Sequence, residues 1–179
     1  MGALHTDGAD PSDRPAGLPT SSSTLPGLIV RMLHLLDPDE QDQVLDAGTG
    51  SGYSAALLAH RLDDKQVTSI DVDPYLVDAV RECLADFGRT PRLEVADATG
   101  ALPDMSYDRI VATVSVRPIP PAWLEALRPG GRLVTTIIGT SLLIAAEKHV
   151  RRNRPRPRPA RSGHLHAHPP RHRLPSSAR

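Results

Sequence analysis

Aromatic residues are scarce in this chain, five among 179. Little ring area is therefore available to a core, and the stability margin is expected to fall below the usual ~5 to 15 kcal/mol of a domain. A single cysteine, Cys83, excludes an internal disulfide and suits a reducing cytoplasm. It lies on an apolar helical stripe, which predicts a core position. No apolar run approaches the roughly 18 to 20 residues of a membrane-spanning helix, so no membrane partner is expected. The N-terminus has no basic stretch followed by an apolar segment, the pattern of a secretion signal. The length suits one domain with a real core rather than two.

Net charge is zero only as an average. Residues 151–179 hold nine arginines and no acid, which leaves 12 basic against 21 acidic residues in the rest of the chain. The Arg-Pro repeats at 154–159 and the histidines at 164, 166, 168 and 172 come with almost no apolar content, so residues 149–179 are expected to be a disordered tail. Such a tail has several readings. It can bind nucleic acid or an anionic surface by charge, take up a transition metal weakly through its histidines, serve as an inert linker, or be the out-of-frame translation of a GC-rich gene. It has neither aromatic interleaving nor metal-ligand spacing, so no metal is assigned and nucleic acid is expected only through this tail.

The informative segment is Val44-Leu45-Asp46-Ala47-Gly48-Thr49-Gly50-Ser51-Gly52-Tyr53, an apolar strand entering a glycine-rich turn. Gly48, Gly50 and Gly52 permit positive φ and let a ligand approach bare backbone. Glycine turns also serve as ordinary connections. Asp71, at the end of the next apolar run Val67 to Ile70, adds a carboxylate placed to accept the hydroxyls of a ribose. The pair points to a nucleoside cofactor. Dinucleotide sites prefer GxGxxG and a pyrophosphate-friendly approach. Here the spacing is GxGxG, and Asp46 would repel a pyrophosphate while suiting a cationic ammonium or sulfonium. A dehydrogenase is disfavoured on both counts.

Alternation of elements sets the fold. A helix is predicted from about Leu25 to Leu36, a strand near 43–47, a helix over Tyr53 to Arg61, a strand over 67–71, and a helix from Pro74 capped by Asp73. That helix presents Leu76, Val77, Val80, Leu84 and Phe87 as its buried stripe. Strands near 91–96, 108–113 and 131–138, with a short helix from Trp123 to Leu127, complete the set. This order predicts an α/β doubly wound, mostly parallel sheet with helices on both faces and its ligand at the carboxyl ends of the strands. Residues 1–20 read as an irregular segment, with the domain proper over 21–148.

From Leu45 to Gly52 the chain resembles the first motif of class I S-adenosylmethionine-dependent methyltransferases, hydrophobic-Asp-x-Gly-x-Gly-x-Gly. Three further segments agree with it. Asp97-Ala98 resembles the acidic pair that meets the adenine amino group, Tyr107 to Thr113 resembles the fourth strand, whose end faces the reacting methyl, and Leu127 to Val134 resembles the helix stop, turn and fifth strand. The resemblance implies a Rossmann-like fold and S-adenosylmethionine held by Asp46, Gly48, Thr49, Gly50, Ser51, Gly52, Asp71, Val72, Asp97 and Ala98. Read blandly, Asp97 is a loop-capping acid, Asp108 is structural and Pro129-Gly130-Gly131 is a turn.

The acceptor is suggested by Thr20-Ser21-Ser22-Ser23-Thr24-Leu25-Pro26. It resembles the Thr-Ile-Ser-x-Pro segment of protein-L-isoaspartate O-methyltransferases, and in its serine-rich form the branch that accompanies ATP-grasp peptide maturation. The resemblance puts Ser22 and Ser23 beside the cofactor and gives Thr24 the hydroxyl at the methyl-transfer site. A peptide or protein carboxylate is then the expected substrate, and an enzyme the expected class. An isoaspartyl carboxylate is ionised at neutral pH, so the lack of a His or Lys base near the motifs is no objection. In the bland reading Thr24 is the N-cap of the first helix.

The resemblance covers roughly residues 20–147 and departs at both ends. Only about 20 irregular residues precede the serine motif, where the family has a segment covering the cofactor. Residues 140–148 can supply a sixth strand, but the Arg-Pro tail cannot supply a closing seventh. The last strand is therefore expected to be missing and a sheet edge exposed. An inactive, cofactor-binding relic acting through a partner is the alternative to an active enzyme.

Overall fold

A computed structural model describes residues 25–103 and 106–149. Its elements run α1 (Pro26–Leu36), β1 (Val44–Ala47), α2 (Tyr53–Arg61), the short 3-10 turn Asp64–Gln66, β2 (Val67–Asp71), α3 (Pro74–Asp86), β3 (Arg92–Val95), β4 (Tyr107–Val116), α4 (Pro121–Ala126), β5 (Leu127–Ile137) and β6 (Leu143–Glu147). The helices start where the sequence lets them. Pro26, Pro74 and Pro121 open α1, α3 and α4, where a missing N–H costs no helical bond. Asp73 caps α3 by accepting from the Tyr75 N–H at 2.9 Å. The cap of α1 is Leu25, with no side-chain bond, so the N-cap role considered for Thr24 falls to its neighbour. Ser22, Ser23, Thr24, the N-terminal segment and the basic tail lie outside the described residues.

The sheet order is β3-β2-β1-β4-β5-β6. The first five strands are parallel, and β6 returns antiparallel on β5, pairing Thr136 with Leu143 and Arg132 with Glu147. The sixth strand expected from 140–148 thus forms, as the second arm of a hairpin at the sheet edge. A closing seventh strand would fall in the tail, outside the described residues. The Pro129-Gly130-Gly131 turn is absorbed into β5. There the register advances from Leu127 opposite Tyr107 to Arg132 opposite Arg109, so the extra residues bulge out of the ladder.

Strand alternation splits the core in two. Val44, Val67, Val111 and Val134 face α1 and α2 and meet Met32, Leu36 and Leu58; Val77, Val80 and Leu84 of α3 extend that layer over Leu93. Leu45, Ile70, Ile110 and Leu133 point the other way, onto Trp123 and Ala126 of α4. Helices therefore cover both faces, three on one and the short α4 on the other. Each fully buried aliphatic contributes roughly 1.5 to 3 kcal/mol, and Trp123, fully buried, and Tyr107 bring aromatic rings to the α4 side of the core.

Two expectations about α3 fail. Cys83 is exposed rather than core, and Phe87 is 79% exposed. Their periodicity is correct, but Phe87 is the residue at which α3 ends, and the buried arc over β2 and β3 is already filled by Leu76, Val77, Val80 and Leu84.

Candidate functional site

The sheet order reverses between β1 and β4, and a crevice opens there at the carboxyl ends of the strands. A cavity of about 230 Å³ fills it, walled by Gly48 after β1, by Asp71 and Val72 at the end of β2, by Asp97 and Ala98 after β3, and by Val114 on β4. Five of the residues expected at a cofactor site thus share one wall. Ala96, Thr99, Ser115 and Val116 also line it; they lack a motif, and only their place at the ends of β3 and β4 could have pointed to them. Val72 is 65% and Val114 41% exposed, apolar surface of the kind a flat ring covers.

The turn itself is held by the strands beneath it. Gly48 and Thr49 donate their N–H groups to the Ile70 carbonyl, at 2.9 and 3.1 Å, and the Thr113 hydroxyl donates to the Gly48 carbonyl at 2.8 Å. Gly48 has φ +98°, and a Cβ there would stand 2.6 Å from Val114 Cγ1. Gly52 has φ +77°, and a Cβ there would meet Val80 Cγ1 at 2.6 Å. Glycine is required at both positions for conformation and for space. Ser51 is exposed on the far side of the turn and lines, with Gly52, a separate cavity toward Cys83.

Asp71 bridges the turn to α3. Its Oδ2 accepts from the Gly50 N–H at 2.9 Å and its Oδ1 from the Asp73 N–H at 3.1 Å, which leaves each oxygen a second lone pair for a ligand hydroxyl. Asp97 is exposed; its Oδ1 accepts from both the Thr99 N–H, at 2.8 Å, and the Thr99 hydroxyl, at 2.7 Å. These two bonds, the backbone one foremost, hold its carboxyl below the usual range. The capping role is real, and it leaves Oδ2 without a partner among the described residues.

Asp46 is not on the cavity wall. It is fully buried beneath the turn, its Oδ2 accepting from Ser54 at 2.9 Å and Ser69 at 2.8 Å, while Thr49 shares a 2.7 Å hydroxyl bond with Ser69. Its Oδ1 is buried with no partner among the described residues. Burial pushes its carboxyl up from 3.8 to about 7, against the two serine bonds and with a further push from the charge of Asp71. Sequence reasoning placed this acid against the ligand; the fold puts it one layer below, where it acts on the turn and through its field.

Asp108 proves structural, as its bland reading had it. Partial burial works against its charge, but bonds from Arg128 at 2.6 Å and the Gln43 N–H at 2.9 Å, with the charges of Arg128 and Arg109, hold its carboxyl low. It pins the amino end of β1, away from the crevice.

The model of the family described as protein-L-isoaspartate(D-aspartate) O-methyltransferase matches residues 15–154. The chain belongs to that family. A protein-L-isoaspartate O-methyltransferase of Methanopyrus kandleri is 37% identical over 116 residues, covering 63% of this chain and 51% of the relative. A solved protein-L-isoaspartate O-methyltransferase superposes with a TM-score of 0.59 at 27% identity, over 65% of this chain and 38% of the other. An RNA methyltransferase of Salinibacter ruber, solved with S-adenosylhomocysteine, is 28% identical with a TM-score of 0.53, over 64% of this chain and 76% of that one. The chain spans about half the length of the curated isoaspartate methyltransferases it matches. Among the described residues no helix is long and apolar enough to cross a membrane, and no set of three or more His, Cys, Asp or Glu is grouped to hold a metal.

Proposed function

We propose that this chain binds S-adenosylmethionine in the β1/β4 crevice and transfers its methyl group to a peptide or protein carboxylate of the isoaspartyl kind. The observation that carries the reading is the single wall formed by Gly48, Asp71 and Asp97, three acid or glycine positions from the ends of three strands, in a chain of this family. The residues fit the cofactor. Bare backbone at Gly48 lies where a side chain would collide, Asp71 keeps lone pairs for ribose hydroxyls, Asp97 Oδ2 is left over for an adenine amino group, and exposed Val72 and Val114 offer apolar cover for the base. Thr49, Gly50, Ser51 and Gly52 shape the turn, Ala98 supports the base, and Ser22 and Ser23 complete the cofactor side.

When bound, S-adenosylmethionine supplies an electrophilic methyl on a sulfonium. The chain's residues then have to place, not activate. An acceptor carboxylate with a reference pKa near 4 is already the nucleophile at neutral pH, so the work left is in-line positioning and exclusion of water. We assign orientation of its oxygen to the Thr24 hydroxyl. Beneath the turn, Asp46 in its ionised form favours a cationic ligand, and such a ligand in turn favours that form. The lone cysteine supports a reducing, cytoplasmic setting.

The test is methyl incorporation from labelled S-adenosylmethionine into an isoaspartyl peptide and its aspartyl isomer. Transfer to the first only is expected, and Thr24→Val should abolish it while S-adenosylhomocysteine still binds. Binding without transfer in the unaltered chain would favour the relic reading; transfer undiminished in Thr24→Val would end the role given to that residue.

A further inference from the structure

Asp97, Ala98 and Thr99, in the turn after β3, wall one end of the crevice, and the turn's internal bonds do not attach it to the rest of the protein. Asp97 Oδ1 is bonded to Thr99, and the Gly100 N–H returns to the Asp97 carbonyl at 3.0 Å. Both close the turn on itself. One hydrogen bond among the described residues of 97–100 reaches outside it: the Trp123 indole N–H donates to the Ala98 carbonyl at 2.6 Å. Trp123 comes from α4, between β4 and β5, and is fully buried in the cluster that Ala98 packs against. An indole nitrogen is a donor only, so this bond has one possible sense.

The geometry is that of a fixed post. The indole is locked in the core, and its N–H reaches the carbonyl of the residue next to Asp97. A carbonyl left unpaired there turns to find water, and the Asp97 carboxylate, one peptide away, turns with it. Nothing in the motif pattern marked Trp123, since a lone tryptophan at helical spacing reads as core.

We propose that Trp123 is a specificity-setting positioning residue, which by holding the Ala98 carbonyl aims Asp97 Oδ2 at the 6-amino group of adenine. The inference rests on the cofactor reading above. Trp123 touches no ligand; it selects the base through the turn.

The experiment compares S-adenosylhomocysteine with S-inosylhomocysteine, whose base carries oxygen in place of the 6-amino group, by calorimetry on the full chain and on Trp123→Phe. The unaltered chain should prefer the adenosyl ligand by about tenfold, the value of one hydrogen bond to a charged acceptor. In Trp123→Phe the adenosyl affinity should fall about tenfold and the inosyl affinity less than twofold, so that the preference is lost. A merely structural role would weaken both ligands alike, and that result, or an unchanged preference, overturns the proposal. If Trp123→Phe does not fold, the chain's one tryptophan can be replaced biosynthetically by 3-benzothienylalanine, which keeps the two-ring shape and puts sulfur where the N–H stands; the same loss of preference is required. Failure of the unaltered chain to bind either nucleoside would overturn the cofactor reading and this inference with it, whereas tight adenosyl binding with a preference indifferent to Trp123 would overturn this inference alone.

Discussion

Asp46→Asn should make the protein more stable above neutral pH, and the gain should vanish in acid. The folded chain holds the Asp46 proton up to about pH 7, whereas an unfolded chain releases it near 3.8. Between those values the unfolded state has ionised and the folded state has not, so stability falls as pH rises through the window and levels off above it. Three pH units of difference correspond to roughly 4 kcal/mol at full development, of which roughly 3 kcal/mol accrues between pH 5 and pH 8. Asparagine keeps an acceptor for the Ser54 and Ser69 hydroxyls and carries no charge to bury. The assay is denaturant unfolding of both proteins at a series of pH values. The difference in favour of Asp46→Asn should grow by roughly 3 kcal/mol from pH 5 to pH 8, or about 10 °C in Tm for a domain of this size. Saturating S-adenosylhomocysteine, whose ammonium favours the Asp46 anion, should narrow the gap. Parallel pH profiles would refute the claim that the buried acid is strained by its charge.

Other substitutions probe the turn and the sheet. Gly52→Ala should cost roughly 2 to 4 kcal/mol in unfolding free energy, combining a left-handed backbone with the Val80 collision, and Val80→Ala should cost less in that background than alone. Gly48→Ala should reduce S-adenosylhomocysteine affinity at least tenfold by calorimetry, because its Cβ would displace Val114 from the crevice. Asp71→Asn should likewise weaken the nucleoside about tenfold, since the amide replaces an acceptor shared by the Gly50 N–H and a ribose. Arg109→Met should destabilise by roughly 1 to 3 kcal/mol without affecting binding: Arg109 bonds the Asp37 carbonyl at 3.3 Å and Asp42 at 3.2 Å, far from the cavity.

Much of the architecture was legible because local signals agreed. Proline and acid at the start of α3, glycines after β1 and the alternation of valine-rich strands with amphipathic helices all named the same fold. The helix stripe over-counted where a real helix ends: Phe87 keeps the period but sits past the last turn of α3. The Pro-Gly-Gly segment carried a turn signal that the structure satisfies inside a strand, as a bulge, because the Gly130 N–H donates to the Lys148 carbonyl and the Lys148 N–H to the Gly131 carbonyl, just past β6. The structure brings the expected residues Gly48, Asp71, Val72, Asp97 and Ala98 together at the strand ends and sets Asp46 a layer below them. Spacing tells that Asp46 precedes the turn, but only the strand parity of β1 sends it down onto Ser54 rather than up to the crevice. Trp123 was invisible for the opposite reason: its contact with Ala98 joins residues 25 apart in sequence, and no local pattern encodes it.

The central claim is that the β1/β4 crevice holds an adenosyl ligand. Titration calorimetry of the full chain with S-adenosylhomocysteine at neutral pH tests it most directly, with Asp71→Asn as the paired control. The account predicts saturable one-to-one binding in the unaltered chain that drops about tenfold in the variant. No heat and no thermal stabilisation up to millimolar ligand, or binding that ignores Asp71, would contradict it.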